Sequence, residues 1–127
     1  MDSAAVRSDN QLLGLAGQDR LSGGHGNDHI DGGADPGDDV IDSDAGNDWM
    51  FGGCSADTFV FAAGDGTDRI RDFHSGRDRL DLSQTGLAFE ELTLGATQWG
   101  QVRISYGEDM IILQGFLATV TEADFIF

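Results

Sequence analysis

The chain has 127 residues, 23 acidic against 7 basic side chains, and a formal charge of −16. This length supports one domain with a modest core. The acid excess excludes nucleic acid and anionic membrane as partners, and no apolar stretch is long enough to span a bilayer. All but four of the acids are Asp, the four Glu lie at Glu90 or later, and Lys is absent. Cys54 stands alone, so there is no disulfide framework. Met1 to Gln11 lacks the apolar core of a cleaved secretory signal. The 19 glycines against one proline suggest a turn repeated many times, because glycine enters tight turns at no steric cost.

The predicted elements follow one nine-residue period. Ala5–Leu13 is a worn first copy with Asn10 and Leu12 at its sixth and eighth steps. Gly14–Ser22 places Asp19 and Leu21 there. Gly23–Asp31 fits G-G-x-G-x-D-x-U-x at every fixed step, U being a large apolar residue, with Asp28 and Ile30. Gly32–Asp42 has Asp39 and Ile41, with Asp35-Pro36 inserted in the turn. Ser43–Phe51 has Asp48 and Met50, but Ser43-Asp44 replaces the glycine pair. Gly52–Val60 has Asp57 and Phe59, with Ser55 in place of a glycine. Ala63–Arg71 has Asp68 and Ile70, and Asp72–Asp81 has Asp78 and Leu80 with Gly76 kept. The sixth-step spacings are 9, 11, 9, 9, 11 and 10.

Steps one to six carry turn chemistry, and steps seven to nine suit a three-residue strand whose central side chain points opposite to its neighbours. Leu21, Ile30, Ile41, Met50, Phe59, Ile70 and Leu80 are therefore expected inside, and Arg20, His29, Trp49, Thr58 and Arg69 outside. Two repeats make one coil, so alternate repeats stack into two parallel sheets. One repeat buries almost nothing alone, and several must stack. Stacking also brings like aspartates about 4.8 Å apart. The pairs are Asp19 with Asp39, Asp28 with Asp48, Asp39 with Asp57, Asp48 with Asp68, and Asp57 with Asp78. Such rows oppose folding unless cations lie between them. Calcium suits them, since it accepts roughly six to eight carboxylate and carbonyl oxygens in flexible geometry. Zinc would need Cys or His. An EF-hand needs a Glu at its twelfth position, and none precedes Glu90.

Beyond Asp81 the period stops. Phe89–Leu94, Val102–Tyr106 and Met110–Leu113 read as strands, with turns at 95–100 and at Gly107-Glu108-Asp109. The expected division is a lead-in over 1–13, a roll over 14–82 and a β cap over 83–127, because an open solenoid end exposes core and strand edges. Arg69, Arg71, Arg77 and Arg79 form the one basic cluster, which is expected to offset the acids nearby, the alternative being that it meets an anionic glycan. His25 and His29 are four apart on a turn and strand, an arrangement of surface histidines. There is no HExxH and no GxSxG, so no enzyme is expected.

The nonapeptide resembles the calcium-binding repeat of RTX proteins. Asp57-Thr58-Phe59-Val60-Phe61, Asp68-Arg69-Ile70-Arg71-Asp72-Phe73 and Asp78-Arg79-Leu80-Asp81-Leu82-Ser83 resemble the C-terminal region of serralysin-type and other type I secreted proteins. The resemblance implies an all-β, right-handed parallel β-roll with a C-terminal capping segment. It implies about five calcium sites in which Asp carboxylates bridge ions and turn carbonyls complete the shell. The implied ligand set is Asp19, Gly23, Gly24, Gly26, Asp28, Gly32, Gly33, Gly37, Asp39, Gly46, Asp48, Gly52, Gly53, Asp57, Gly66, Asp68, Gly76 and Asp78, best formed over Gly23–Asp28. It also implies a bacterial extracellular protein whose terminal Asp124-Phe125-Ile126-Phe127 addresses a type I secretion exporter. The expected function is a non-enzymatic module that folds on calcium after export. The alternatives are a carbohydrate-binding accessory domain of a larger secreted protease, lipase or alginate epimerase, and an extracellular adhesion or matrix protein.

Overall fold

The computed structural model describes residues 2–4, 11–14, 17–33, 37–53, 55–74, 77–96, 101–116 and 120–127. Cys54, Gly76, the Asp35-Pro36 insertion and 97–100 lie outside the described residues. The described strands are β1 (Asp2–Ala4), β2 (Gln11–Leu13), β3 (Arg20–Ser22), β4 (His29–Asp31), β5 (Val40–Asp42), β6 (Trp49–Phe51), β7 (Thr58–Val60), β8 (Thr67–His74), β9 (Arg79–Asp81), β10 (Thr93–Ala96), β11 (Val102–Tyr106), β12 (Asp109–Phe116) and β13 (Phe125–Ile126).

Among these residues the strands form two sheets, in the orders β1-β3-β5-β7-β9-β13 and β10-β11-β12-β8-β6-β4-β2. The repeat strands pair in parallel with their alternate neighbours. Parallel pairing normally needs a long crossover; here each half-coil of turn and strand supplies it. The result is an all-β parallel solenoid.

The eighth-step side chains make two apolar columns. Leu21, Ile41, Phe59, Leu80 and Phe125 are in register in the first sheet. Leu12, Ile30, Met50, Ile70 and Leu113 are in register in the second. All seven residues expected inside are fully buried. Each contributes about 1.5–3 kcal/mol, while ordering each residue's backbone costs about 1–2 kcal/mol. One buried side chain for nine ordered residues does not balance, so a repeat is stable only in the stack.

The segment after Asp81 continues both sheets. β12 pairs in parallel with β8 and carries Leu113 into the column. β13 pairs in parallel with β9 and carries Phe125 into the other. β10, β11 and β12 pair antiparallel with one another. Three details differ from expectation. The apolar run at Phe89 opens with a 3-10 turn, Phe89–Glu91, before β10. Phe89 and Leu92 both pack on the core, and a spacing of three suits a turn better than a strand. β8 runs to His74 because β12 gives it a partner beyond the repeat. A strand, β1, pairs with β3 inside the expected lead-in.

Candidate metal sites in the stacked turns

The turns preceding β3, β5, β7 and β9 stack Asp19, Asp39, Asp57 and Asp78; on the other side Asp28 and Asp48, in the turns before β4 and β6, stack with Asp68 at the start of β8. All five expected pairs meet. The Asp19 N–H donates to Asp39 Oδ1 at 2.9 Å, Asp39 to Asp57 at 3.0 Å and Asp57 to Asp78 at 3.0 Å. On the other side Asp28 donates to Asp48 at 2.7 Å and Asp48 to Asp68 at 3.0 Å. Asp39, Asp48, Asp57, Asp68 and Asp78 thus each hang from the backbone of the coil before. None of the seven is more than 6% exposed.

The second carboxylate oxygen faces a cradle at the first step of its own repeat. A Cβ built on Gly14 would lie 2.7 Å from both Asp19 Oδ2 and the Gly32 carbonyl oxygen. On Gly23 it would lie 2.6 Å from Asp28 Oδ2 and 2.9 Å from the Ser43 carbonyl. On Gly32 it would lie 2.5 Å from Asp39 Oδ2 and 2.7 Å from the Gly52 carbonyl. A buried carboxylate oxygen and a carbonyl of the next coil therefore converge where glycine leaves space. Oδ2 of Asp39, Asp48 and Asp57 is buried with no hydrogen-bond partner among the described residues. Leaving such an atom unsatisfied is costly, and two acceptors converging without a donor suit a cation. Among the described residues no three His, Cys, Asp or Glu side chains converge. Backbone carbonyls must complete any shell, which fits a hard, oxygen-seeking ion and not zinc.

The other glycines of the expected set do different work. A Cβ on Gly46, where φ is +125°, would collide with the Gly26 carbonyl. One on Gly37 would collide with the Gly17 carbonyl, and one on Gly66 would lie 2.8 Å from that of Gly46. These fourth-step glycines let turns approach closely. Ser55, which replaces one, keeps a left-handed φ of 72° and accepts a hydrogen bond from Gly37 N–H at 3.3 Å. Gly24, Gly33 and Gly53 stand at the second step, also with positive φ.

Electrostatics mark the rows as unstable when fully charged. Burial, only partly offset by the Asp39 N–H, pushes the Asp57 carboxyl up to about 7. Burial likewise raises Asp39 and Asp78. Asp48 and Asp68 are raised too, by burial first; the Asp28 charge adds less to Asp48, and the Asp48 charge less to Asp68. Desolvation disfavours the ionised form, so without a cation the rows favour protons, and a divalent cation would take their place.

Three aspartates that break the repeat have a role the sequence reading missed. Asp44 Oδ2 accepts from Ser22 Oγ at 2.8 Å and Gly24 N–H at 3.2 Å. The Asp72 oxygens accept from Gly52 and Gly53 N–H, each at 2.9 Å. Asp109, at the end of the 107–109 turn, accepts from Gly64 and Gly66 N–H at 2.9 Å each. For Asp44 and Asp72 the signal was an acid where the period demands glycine; for Asp109, outside the period, there was none. The arginine cluster is also corrected. Arg69 and Arg71 lie on the outer face of the second sheet, 5.6 and 4.6 Å from the Trp49 ring centroid. Arg79 belongs to the other sheet, and Arg77 reaches into the turns. The period of the strands, alternating between sheets, separates residues that are close in sequence. His25 and His29 are exposed, and the His29 ring lies 5.5 Å from Phe51.

Short parallel strands stacked through glycine- and aspartate-rich turns define a β-roll with cation-binding turns. The chain belongs to the RTX calcium-binding nonapeptide repeat family, whose profile matches residues 7–36 and 34–70 in four copies. Similar solved structures include the AlgE6R3 subunit of the Azotobacter vinelandii mannuronan C5-epimerase, with 28% identity, TM-score 0.76, and coverage of 95% of this chain and 79% of that one. The AlgE6R2 subunit of the same enzyme has 27% identity, TM-score 0.74, and coverage of 100% and 92%. The extracellular lipase LipA of Serratia marcescens shares the fold at 18% identity and TM-score 0.73, over 99% of this chain and 20% of the lipase. No curated relative matches the sequence.

Proposed function

We propose that this chain is a non-enzymatic calcium module that stays unfolded inside a bacterial cell, leaves through a type I exporter and folds outside on calcium. The observation that carries this reading is the pair of buried carboxylate rows, with Oδ2 of Asp39, Asp48 and Asp57 unpartnered among the described residues and that of Asp39 converging with the Gly52 carbonyl of the next coil. Asp19, Asp28, Asp39, Asp48, Asp57 and Asp68 are the proposed acidic ligands, with carbonyls of the first four steps of each turn. Calcium, when bound, supplies the charge that offsets the rows. Binding free energy then becomes folding free energy. Residues 14–82 serve as the roll and 83–127 as its cap.

The same reading makes Asp124–Phe127 the exporter address. Phe125 is also the last rung of a core column, and Asp124 is 4% exposed. The address would be readable only in the unfolded chain. Deleting 124–127 should abolish secretion through a type I exporter. The exporter takes unfolded chain, so a folding defect does not by itself block export. Wild-type secretion of the truncated chain would show that the tetrapeptide is no address.

A second reading, a carbohydrate-binding accessory domain, is favoured by one surface. Trp49 is 41% exposed with two guanidinium groups over it, and Arg71 Nε donates to Gln114 Oε1 at 2.5 Å. Flat aromatic and cationic surface suits an acidic sugar chain. Two of the similar structures are subunits of an enzyme named for mannuronan. Uronate polymers bound in calcium by wild type but not by Trp49→Ala would support this reading, and equal binding would remove it.

A further inference from the structure

The five stacked pairs are not equivalent, and the last one, Asp57 with Asp78, already contains a cation. Arg77 Nε lies 3.5 Å from Asp78 Oδ1, and its guanidinium donates to the Gly53 carbonyl at 3.3 Å. Gly53 and Asp78 belong to the two adjacent turns of this pair, so the side chain spans the gap and touches one carboxylate and one turn carbonyl. Those are the donor types a calcium ion would use there.

Three further observations set the pair apart. The fifth-step residues of the preceding repeats are Gln18, Asn27, Asp38, Asn47, Ala56 and Thr67; only Arg77 is a cation. Asp78 has both oxygens engaged, Oδ1 with Asp57 N–H at 3.0 Å and Oδ2 with His74 N–H at 2.8 Å. The cradle differs as well. At Gly14, Gly23 and Gly32 a carbonyl of the next coil is among the three nearest atoms, whereas at Gly52 all three belong to its own repeat. Asp72 of the next coil also sends a carboxylate to Gly52 and Gly53 N–H.

We infer that Arg77 is the resident cation of the last turn pair, bridging its two turns in place of a calcium ion. This deepens the calcium reading and rests on it. The guanidinium keeps its charge at every accessible pH, so the coil next to the cap has one negative charge offset without an ion. The other turns wait for calcium, while this one supplies its own counter-charge. The chain then binds one ion fewer than its stacked pairs suggest.

The test counts ions by native mass spectrometry at saturating calcium for wild type, Arg77→Asn and Arg79→Asn. Asparagine is the fifth-step residue of 23–31 and 43–51. Both variants lose one positive charge, but Arg79 lies on the exposed face of β9. Arg77→Asn is expected to bind one more ion than wild type, and Arg79→Asn the same number as wild type. An unchanged or lower count for Arg77→Asn overturns the inference. So does a gain in both variants, or failure of Arg77→Asn to fold at any calcium concentration. Wild type binding no calcium at all would instead overturn the underlying calcium reading.

Discussion

Gly32→Ala fills one cradle and nothing else. Gly32 is not among the glycines with positive φ, so alanine suits its backbone. The added methyl would lie 2.5 Å from Asp39 Oδ2 and 2.7 Å from the Gly52 carbonyl, closer than carbon and oxygen approach. The carboxylate must swing away or the carbonyl must retreat, and either move removes a donor pair from the Asp39–Asp57 site. An ion that binds only the folded chain stabilises it by about 2.7 kcal/mol when its free concentration is one hundred times its Kd. Losing that ion should therefore cost about 2–3 kcal/mol at saturating calcium and move the folding midpoint to higher calcium. Gly86→Ala is the control. Its φ is +74° and a Cβ there meets nothing within 4 Å, so it bears a backbone cost of roughly 1–2 kcal/mol with no loss of an ion. Calcium titrations followed by circular dichroism, with ion counts by mass, separate the two. If Gly32→Ala keeps the wild-type count and midpoint, the cradles are not the sites.

The raised carboxyls fix a pH dependence for the calcium-free chain. Asp57 titrates at about 7 and Asp65 at about 6 when folded, against 3.8 in the open chain. The folded state thus holds more protons, and their stabilisation is present at pH 4 and lost as pH rises through 6 to 8. In chelator, β structure should grow on acidification from pH 8 to 5, and no change would mean that the cost of burying ionised carboxylates is not what keeps the calcium-free chain open. Phe125→Ala should destabilise the calcium form by about 3 kcal/mol, measured by denaturant unfolding, because Phe125 closes a core column; a loss under 1 kcal/mol would make the terminal strand dispensable. The Tyr106 hydroxyl is buried without a hydrogen-bond partner among the described residues. Tyr106→Phe should accordingly be neutral or stabilising by about 1 kcal/mol, and a clear drop in thermal midpoint would reveal a partner for it.

The period made the roll readable before any coordinates. One apolar residue every nine or so places Leu21, Ile30, Ile41, Met50, Phe59, Ile70 and Leu80 in the columns, because a short strand tolerates one inward side chain. The spacing likewise paired the aspartates, since equal coils bring equal steps together. What the period could not carry was hidden where it breaks. Asp109 and Phe125 have no repeat around them, and their partners, Gly64, Gly66 and Leu80, are far along the chain. The arginines at 69, 71, 77 and 79 look like one patch in sequence, yet consecutive strands belong to opposite sheets. Arg77 reads in sequence as a neighbour of Asp78 and only in three dimensions as a bridge to Gly53.

The central claim is that cations between buried carboxylates hold the roll together. Far-UV circular dichroism of the same sample in chelator and then in millimolar calcium at pH 7.5 tests it most directly. The expected result is a largely disordered chain that becomes β-rich on calcium and reverts on renewed chelation. Equal β content under both conditions would contradict it, because the stacked aspartates would then be stable without any counter-charge.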